Sequence, residues 1–259
     1  MKKYNIIYSL GRDCACAMYM KKAQIRQCSG PLDWLTSGNF SDRMDLLLSD
    51  FKDFMNPNYF CPLKKNENMF NDDACDYYEN FKVKTYFFHD FPVGVPFDVS
   101  FPQVKQKYER RISRFWENIK KNKNVLLIWF FHGKETDDKE IIKLCHLFCE
   151  KVGKTVDFLI IENNKNQKAP LKKELSENIV KWTLRTEGVS ENENPTLGNE
   201  LQVQPIFNQY TLIVPFRVLL KRYSIKWLTR FVCCFIPVRR WRKKIRNWSR
   251  NFIWEKPQD

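Results

Sequence analysis

A thiol at position 14 follows a glycine by three residues in the run Tyr8-Ser9-Leu10-Gly11-Arg12-Asp13-Cys14. The run closes a short apolar stretch and meets a predicted helix start, where unpaired backbone amides carry partial positive charge. A cysteine placed there is expected to have a stabilised thiolate and a lowered pKa, which suits nucleophilic attack at neutral pH. The alternative is a small buried side chain packing a strand-to-helix turn. Attack also needs a base, and the chain has only three histidines, His89, His132 and His146. His146 falls within a predicted helix beside Leu144 and Leu147. His89 and His132 each follow an apolar run, and sites in parallel sheets form at the carboxyl ends of strands. Gly11 and the amides of Asp13 and Cys14 are candidates for an oxyanion hole at the helix start.

A second group of chemistry-bearing residues is Arg110, Arg111 and Arg114. On a helix, 110 and 114 share a face while 111 is rotated by about 100°, so at least one guanidinium can reach inward. Bidentate recognition of an acidic ligand is one use of such a cluster, and a solvated face is the other.

The elements that must position these groups follow from apolar spacing. Asn5 to Leu10 is predicted as a buried strand and Cys14 to Lys22 as a helix. An amphipathic helix is expected from Phe40 to Met55, stopped by Asn56-Pro57-Asn58. Residues 64 to 80 suit a polar surface excursion, and a strand from Lys82 to Phe88 delivers His89 at its end. After a loop with Pro92, Pro96 and Pro102 comes a helix over 103–121 with the stripe Tyr108, Ile112, Phe115, Trp116 and Ile119. Val125 to Phe131 has the unbroken apolar character of a strand covered on both faces. A helix from Asp138 to Val152 ends at Gly153, and strands follow at 156–161 and 179–184. Residues 163–173 and 187–199 are polar and loop-like. The implied fold is α/β, a mainly parallel central sheet flanked by helices, with α+β papain-like architecture as the alternative. An α/β core over 1–210 and a basic helical tail over 211–259 are expected.

Four blocks occur in order: Ser9-Leu10-Gly11 with Cys14, Pro31-Leu32-Asp33-Trp34, His89-Asp90-Phe91, and Tyr108-Glu109-Arg110-Arg111. Together they resemble a bacterial family of uncharacterised proteins described by their likeness to papain-like cysteine peptidases. The resemblance covers residues 4–130 or so and weakens beyond. It implies hydrolysis or acyl transfer with Cys14 as nucleophile. His89, inside a matched block, is the implied base, with His132 the runner-up. Asp33, also in a matched block, is the implied group that orients the imidazole, although a turn or cap role fits it too. Asp90 is a poorer orienter, because neighbouring side chains of an extended segment face opposite ways. One departure from the pattern is Asp13, where the family has asparagine. A carboxylate beside the thiol opposes thiolate formation.

Nine cysteines, odd in number and irregularly spaced, behind no recognisable secretory leader, point to a reducing, cytoplasmic setting. No paired Cys-x-x-Cys modules exist to close a zinc shell, and no Walker or GxGxxG loop supports a nucleotide, so neither metal nor cofactor is expected.

The net charge of +14 is concentrated at the end of the chain. From Leu201 to Trp254 there are 12 Lys and Arg and no Asp or Glu, leaving 32 basic and 30 acidic residues elsewhere. Two tail helices are predicted, separated by Pro237, with aromatic residues spaced at three and four between the cations. Tryptophan with Lys and Arg on an amphipathic helix suits an anionic membrane surface, assigned to residues 216–254 and placing the protein at the inner membrane's cytoplasmic face. A nucleic acid is disfavoured, since phosphate binding alone leaves the aromatic stripe unexplained. Packing of the first tail helix on the core is the simpler alternative. The tail also resembles those of bacterial surface-polysaccharide assembly enzymes. A transferase or accessory protein of that synthesis, with the arginines binding an acidic donor and Cys14 merely structural, is therefore the rival to the peptidase reading. A membrane-docked interaction module is a third.

Overall fold

Strands that are apolar on both sides need cover on both sides. The computed structural model, which describes residues 2–64, 74–131, 136–164, 166–184, 200–214 and 216–255, provides that cover. The chain opens with β1 (Lys2–Tyr4), β2 (Ile6–Ser9), α1 (Cys14–Lys22), β3 (Leu35–Thr36) and α2 (Phe40–Leu48). β4 (Phe60–Leu63), β5 (Cys75–Asn80) and β6 (Thr85–Pro92) precede the long α3 (Phe97–Lys121). Next come β7 (Val125–Phe131), α4 (Asp138–Val152), β8 (Asp157–Asn163), β9 (Leu171–Ser176) and β10 (Ile179–Leu184). The last elements are α5 (Glu200–Phe207), β11 (Tyr210–Leu212), α6 (Phe216–Cys234) and α7 (Arg239–Glu255).

The fold is α/β. A central sheet has the order β2-β7-β8-β10-β9, parallel except for the β9–β10 pair. A second sheet, β3-β6-β5-β4, is antiparallel throughout, and β1 pairs with β11 in parallel. The period of two along the central strands sorts side chains onto two faces. Ile6, Tyr8, Leu127, Trp129, Phe158 and Ile160 share a core with α2, α3, α4 and the antiparallel sheet. Ile7, Leu126, Ile128, Phe130, Leu159 and Ile161 pack with α1 and α5. The nucleophile candidate thus begins a helix on one face of the sheet, while His89 belongs to elements on the other.

Several boundaries differ from the sequence reading, each for a local reason. The predicted helix 40–55 stops at Leu48, because Asp50 and Phe51 adopt left-handed backbone with φ of 56° and 58°. That reversal sets Phe51 against Phe115 and Phe54 edge-on to Tyr108. The expected excursion over 64–80 ends in strand β5, whose Tyr77 and Asn80 are buried. β6 continues to Pro92, so His89 sits inside a strand rather than at its end. α3 starts at Phe97 and accommodates Pro102 in its second turn. β9 begins inside the 163–173 segment expected as loop and runs on to Ser176, pairing with β10 through largely exposed residues. β11 crosses residue 210 and pairs with β1.

α3 is tied to β6 by one buried phenol. Tyr108 stands edge-on to both Phe54 and Phe87 and donates its hydroxyl to Asp90 at 2.9 Å. Lys107 pairs with the same carboxylate. Tyr108→Phe preserves the ring packing and strips one donor from buried Asp90. The expected cost is about 1–3 kcal/mol, read as a lower urea midpoint at unchanged m-value.

Candidate active site

The turn after β2 is fixed by close backbone approach. Leu10 still donates to the Ile128 carbonyl at 2.8 Å, and the Gly11 amide then turns back to Ser9 Oγ at 2.9 Å. A Cβ on Gly11 would stand 2.8 Å from Ser9 Oγ, 2.9 Å from the Asp13 carbonyl oxygen and 3.0 Å from Cys16 Cβ. Only glycine fits without displacing backbone. From beneath, fully buried Arg43 of α2 donates to the Gly11 carbonyl at 3.4 Å, to Thr85 Oγ1 at 2.8 Å and to the Ser37 carbonyl at 2.6 Å. Burial lowers its pKa to about 10, and among the described residues no carboxylate lies within ion-pair distance. This residue was missed in the sequence. The one signal was an arginine three residues after Phe40 and one before Met44, in a stretch otherwise apolar on that side.

Cys14 is the first residue of α1 and is partly exposed. Asp13 caps the helix, accepting from the Ala15 amide at 2.8 Å, an arrangement worth about 1 kcal/mol. The expected lowering of the thiol pKa does not occur. Burial pushes Cys14 up to about 11, the Asp13 charge pushes the same way, and only its own backbone amide opposes them. The cap that forms the helix therefore brings a negative group to the position where the helix end offers a partial positive one. Asp13 is itself raised by burial, against the Ala15 amide, Arg12 and Arg43. Cys16, two residues on, is wholly buried and donates to the Ile128 carbonyl at 3.7 Å, a packing role.

Asp33 is held in place by charged and backbone donors. Its Oδ2 accepts from Arg26 Nε at 3.0 Å, from Arg26 Nη2 at 2.6 Å and from the Gly30 amide at 2.9 Å. This charge pair is buried on both sides and closes the loop between α1 and β3. At Gly30 the fit is close, since a Cβ would meet Tyr8 Cδ1 at 3.0 Å and Asp33 Oδ1 at 3.2 Å. The Arg26 guanidinium lies over the Trp34 ring at 5.6 Å, and the Trp34 ring meets His89 edge-on, centroids 6.1 Å apart at 80°. An indole thus borders the imidazole. Asp33, Arg26, Trp34 and His89 thus form a chain of contacts.

His89 sits where the ladder slips. Asp76 opposes Phe91 while Tyr78 opposes Phe87, so β6 advances four residues as β5 advances two. Such bulges bend a strand and re-aim its side chains, and they recur beside functional sites. His132, the runner-up base, lies outside the described residues.

The arginines divide differently from the helical-wheel expectation. Arg110 is exposed. Arg111 covers the Tyr108 ring at 5.5 Å, and Arg114 donates Nη2 to the Ser29 carbonyl at 2.9 Å. Arg114 Nε is buried with no hydrogen-bond partner among the described residues. Next to it, Tyr8 accepts from Asn118 at 2.9 Å and from the Cys28 thiol at 3.4 Å. The end of β2, the loop 26–34, the bulge of β6 and the middle of α3 are therefore joined through shared contacts. No group of three His, Cys, Asp or Glu is placed to hold a metal ion among the described residues.

Residues 5–166 match the model of a family described as "Putative papain-like cysteine peptidase". An uncharacterized protein of Acanthamoeba polyphaga mimivirus is 23% identical over 183 residues, covering 65% of this chain and 82% of the viral one. No solved structure matches.

Asp13→Asn keeps a side-chain cap for Ala15 and removes the charge beside the thiol. The Cys14 pKa should fall from about 11, and site-resolved mass spectrometry should show several-fold faster iodoacetamide labelling of Cys14 at pH 8. An unchanged rate would mean that burial alone sets the thiol.

Proposed function

Because the chain belongs to the family described as putative papain-like cysteine peptidases, we propose that it is a thiol-dependent hydrolase or acyltransferase whose nucleophile is Cys14. The observation that carries this reading is the placement of a partly exposed thiol at the first residue of α1, on a turn held by Gly11 and Arg43. A thiol with a pKa near 11 is protonated at neutral pH, so attack needs a base to take its proton. His89 takes the Cys14 proton as Sγ bonds to the acyl carbon. The tetrahedral adduct collapses with return of that proton to the leaving amine or alcohol, leaving a thioester. Water or another acceptor, deprotonated by His89, then releases the acyl group. The Gly11 amide is engaged by Ser9 and the Cys14 amide by its own sulfur, so we assign the oxyanion to the Asp13 amide.

A second reading is favoured by Arg114. Its buried Nε without a partner is the donor that an acidic ligand would engage, as in a transferase or accessory protein of surface-polysaccharide synthesis with a structural Cys14. The two readings part at residue 14.

The test uses p-nitrophenyl acetate as acyl donor, followed by mass spectrometry of each cysteine. Cys14 should become acetylated with release of p-nitrophenolate. His89→Asn should slow the step by about 10²-fold or more, and Cys14→Ser should abolish it without loss of folding. Acetylation confined to exposed Cys234, with Cys14 untouched, would favour the transferase reading.

A further inference from the structure

Tyr223, Trp227 and Phe231 of α6 face outward. Leu220, Tyr223, Trp227, Phe231 and, just past the helix end, Phe235 recur at steps of three and four along one side, each 50–72% exposed. Small residues take the sheltered positions instead. Thr229 and Cys233 of α6 and Ser249 of α7 are buried, and the Cys233 thiol donates to the Arg242 carbonyl at 3.8 Å, joining the two helices. Trp241 of α7 is also exposed. Among the described residues the hairpin therefore leaves large apolar side chains uncovered, with Trp227, Phe231 and Phe235 in ring contact, a patch that marks an interaction surface rather than a core face.

The occupant is specified by charge and by the kind of apolar residue. In the sequence, cations alternate with these residues on both helices, Arg217, Lys221, Arg222, Lys226 and Arg230 on α6 and a run from Arg239 to Arg250 on α7, with no acidic residue before Glu255. A partner of opposite charge is required. Stacking on nucleic-acid bases needs open ring faces, but Trp227 and Phe231 already lie face to face, centroids 5.6 Å apart at 10°, and Phe231 also meets Phe235 at 5.0 Å. Leu220, Leu228, Val232 and Val238 add aliphatic surface that no base would stack on. Among the described residues no helix is long and apolar enough to cross a membrane. The combination fits a helix lying in the plane of an interface, with apolar side chains among acyl chains and cations at the headgroups.

We propose that the α6–α7 hairpin docks the protein onto an anionic lipid bilayer, with Trp227, Phe231 and Phe235 inserted at the headgroup boundary and the cations of both helices paired with lipid phosphates. This surface is independent of the chemistry at Cys14.

The test is co-sedimentation of the full chain with vesicles of mixed phosphatidylcholine and phosphatidylglycerol. Binding should be at least ~10-fold weaker to phosphatidylcholine alone and should fall as salt is raised. A W227S/F231S/F235S variant should lose about 10-fold in affinity with unchanged circular dichroism, since these side chains are exposed. For the unaltered protein, brominated phosphatidylglycerol should quench tryptophan fluorescence. Absence of vesicle binding, an undiminished variant, or absence of quenching would each overturn the proposal. So would tighter binding of a single-stranded oligonucleotide than of the vesicles.

Discussion

The turn from β2 into α1 is a place where backbone meets backbone too closely for any side chain, and the surrounding structure is arranged to keep it so. Gly11 has no room for a Cβ, and its carbonyl receives the buried Arg43 guanidinium from the opposite face of the sheet. Because Arg43 also binds Ser37 and Thr85, the same cation connects this turn to the segment before α2 and to the first residue of β6. A buried charge without a carboxylate partner is costly unless its donors are met. Here three acceptors meet it, and each belongs to a different part of the fold. Moving any one of them would leave the guanidinium short of a partner, which couples the thiol-bearing turn to the strand that carries His89.

The four sequence blocks acquire separate physical meanings in this frame. Ser9 and Gly11 shape the turn, Asp13 caps the helix, and Cys14 occupies its first residue. Asp33 locks the next loop through Arg26 and Gly30, and Arg26 in turn steadies Trp34 against His89. Asp90 receives Tyr108, and Arg111 covers that same ring. Most of these residues therefore support rather than react. A nucleophile and a base are the smallest part of such a site, and the supporting contacts determine whether the two can be held in register.

Much of the scaffold was legible because periodicity reports burial. Cys14 to Lys22, Val125 to Phe131, Asp138 to Val152 and Ile179 to Leu184 follow directly from apolar spacing and capping residues. What escaped were features set by long-range contact. Asp50 and Phe51 leave the helical region although their spacing continues a helical stripe, since Phe51 and Phe54 pack better against α3 after a reversal. Strands β5 and β9 are too polar to announce themselves and exist through pairing with β6 and β10. The site was legible in its residues and not in its bonds. No local pattern tells that Asp33 holds an arginine seven residues earlier, or that a capping carboxylate and burial together raise the Cys14 thiol. The tail shows the same limit, since helical spacing gave its aromatic stripe but not the bond from the Cys233 thiol to the Arg242 carbonyl that joins α6 to α7.

In the proposed chemistry Cys14 and His89 act as a pair across the end of β2. Its most direct test is a crystal structure of the chain after covalent acylation of Cys14. If the two act together, the acyl group sits on Sγ with a ring nitrogen of His89 within about 4 Å of the reacting atoms, and the indole of Trp34 still borders the ring. An acylated Cys14 with the imidazole turned away, or another side chain in its place, would contradict the pairing.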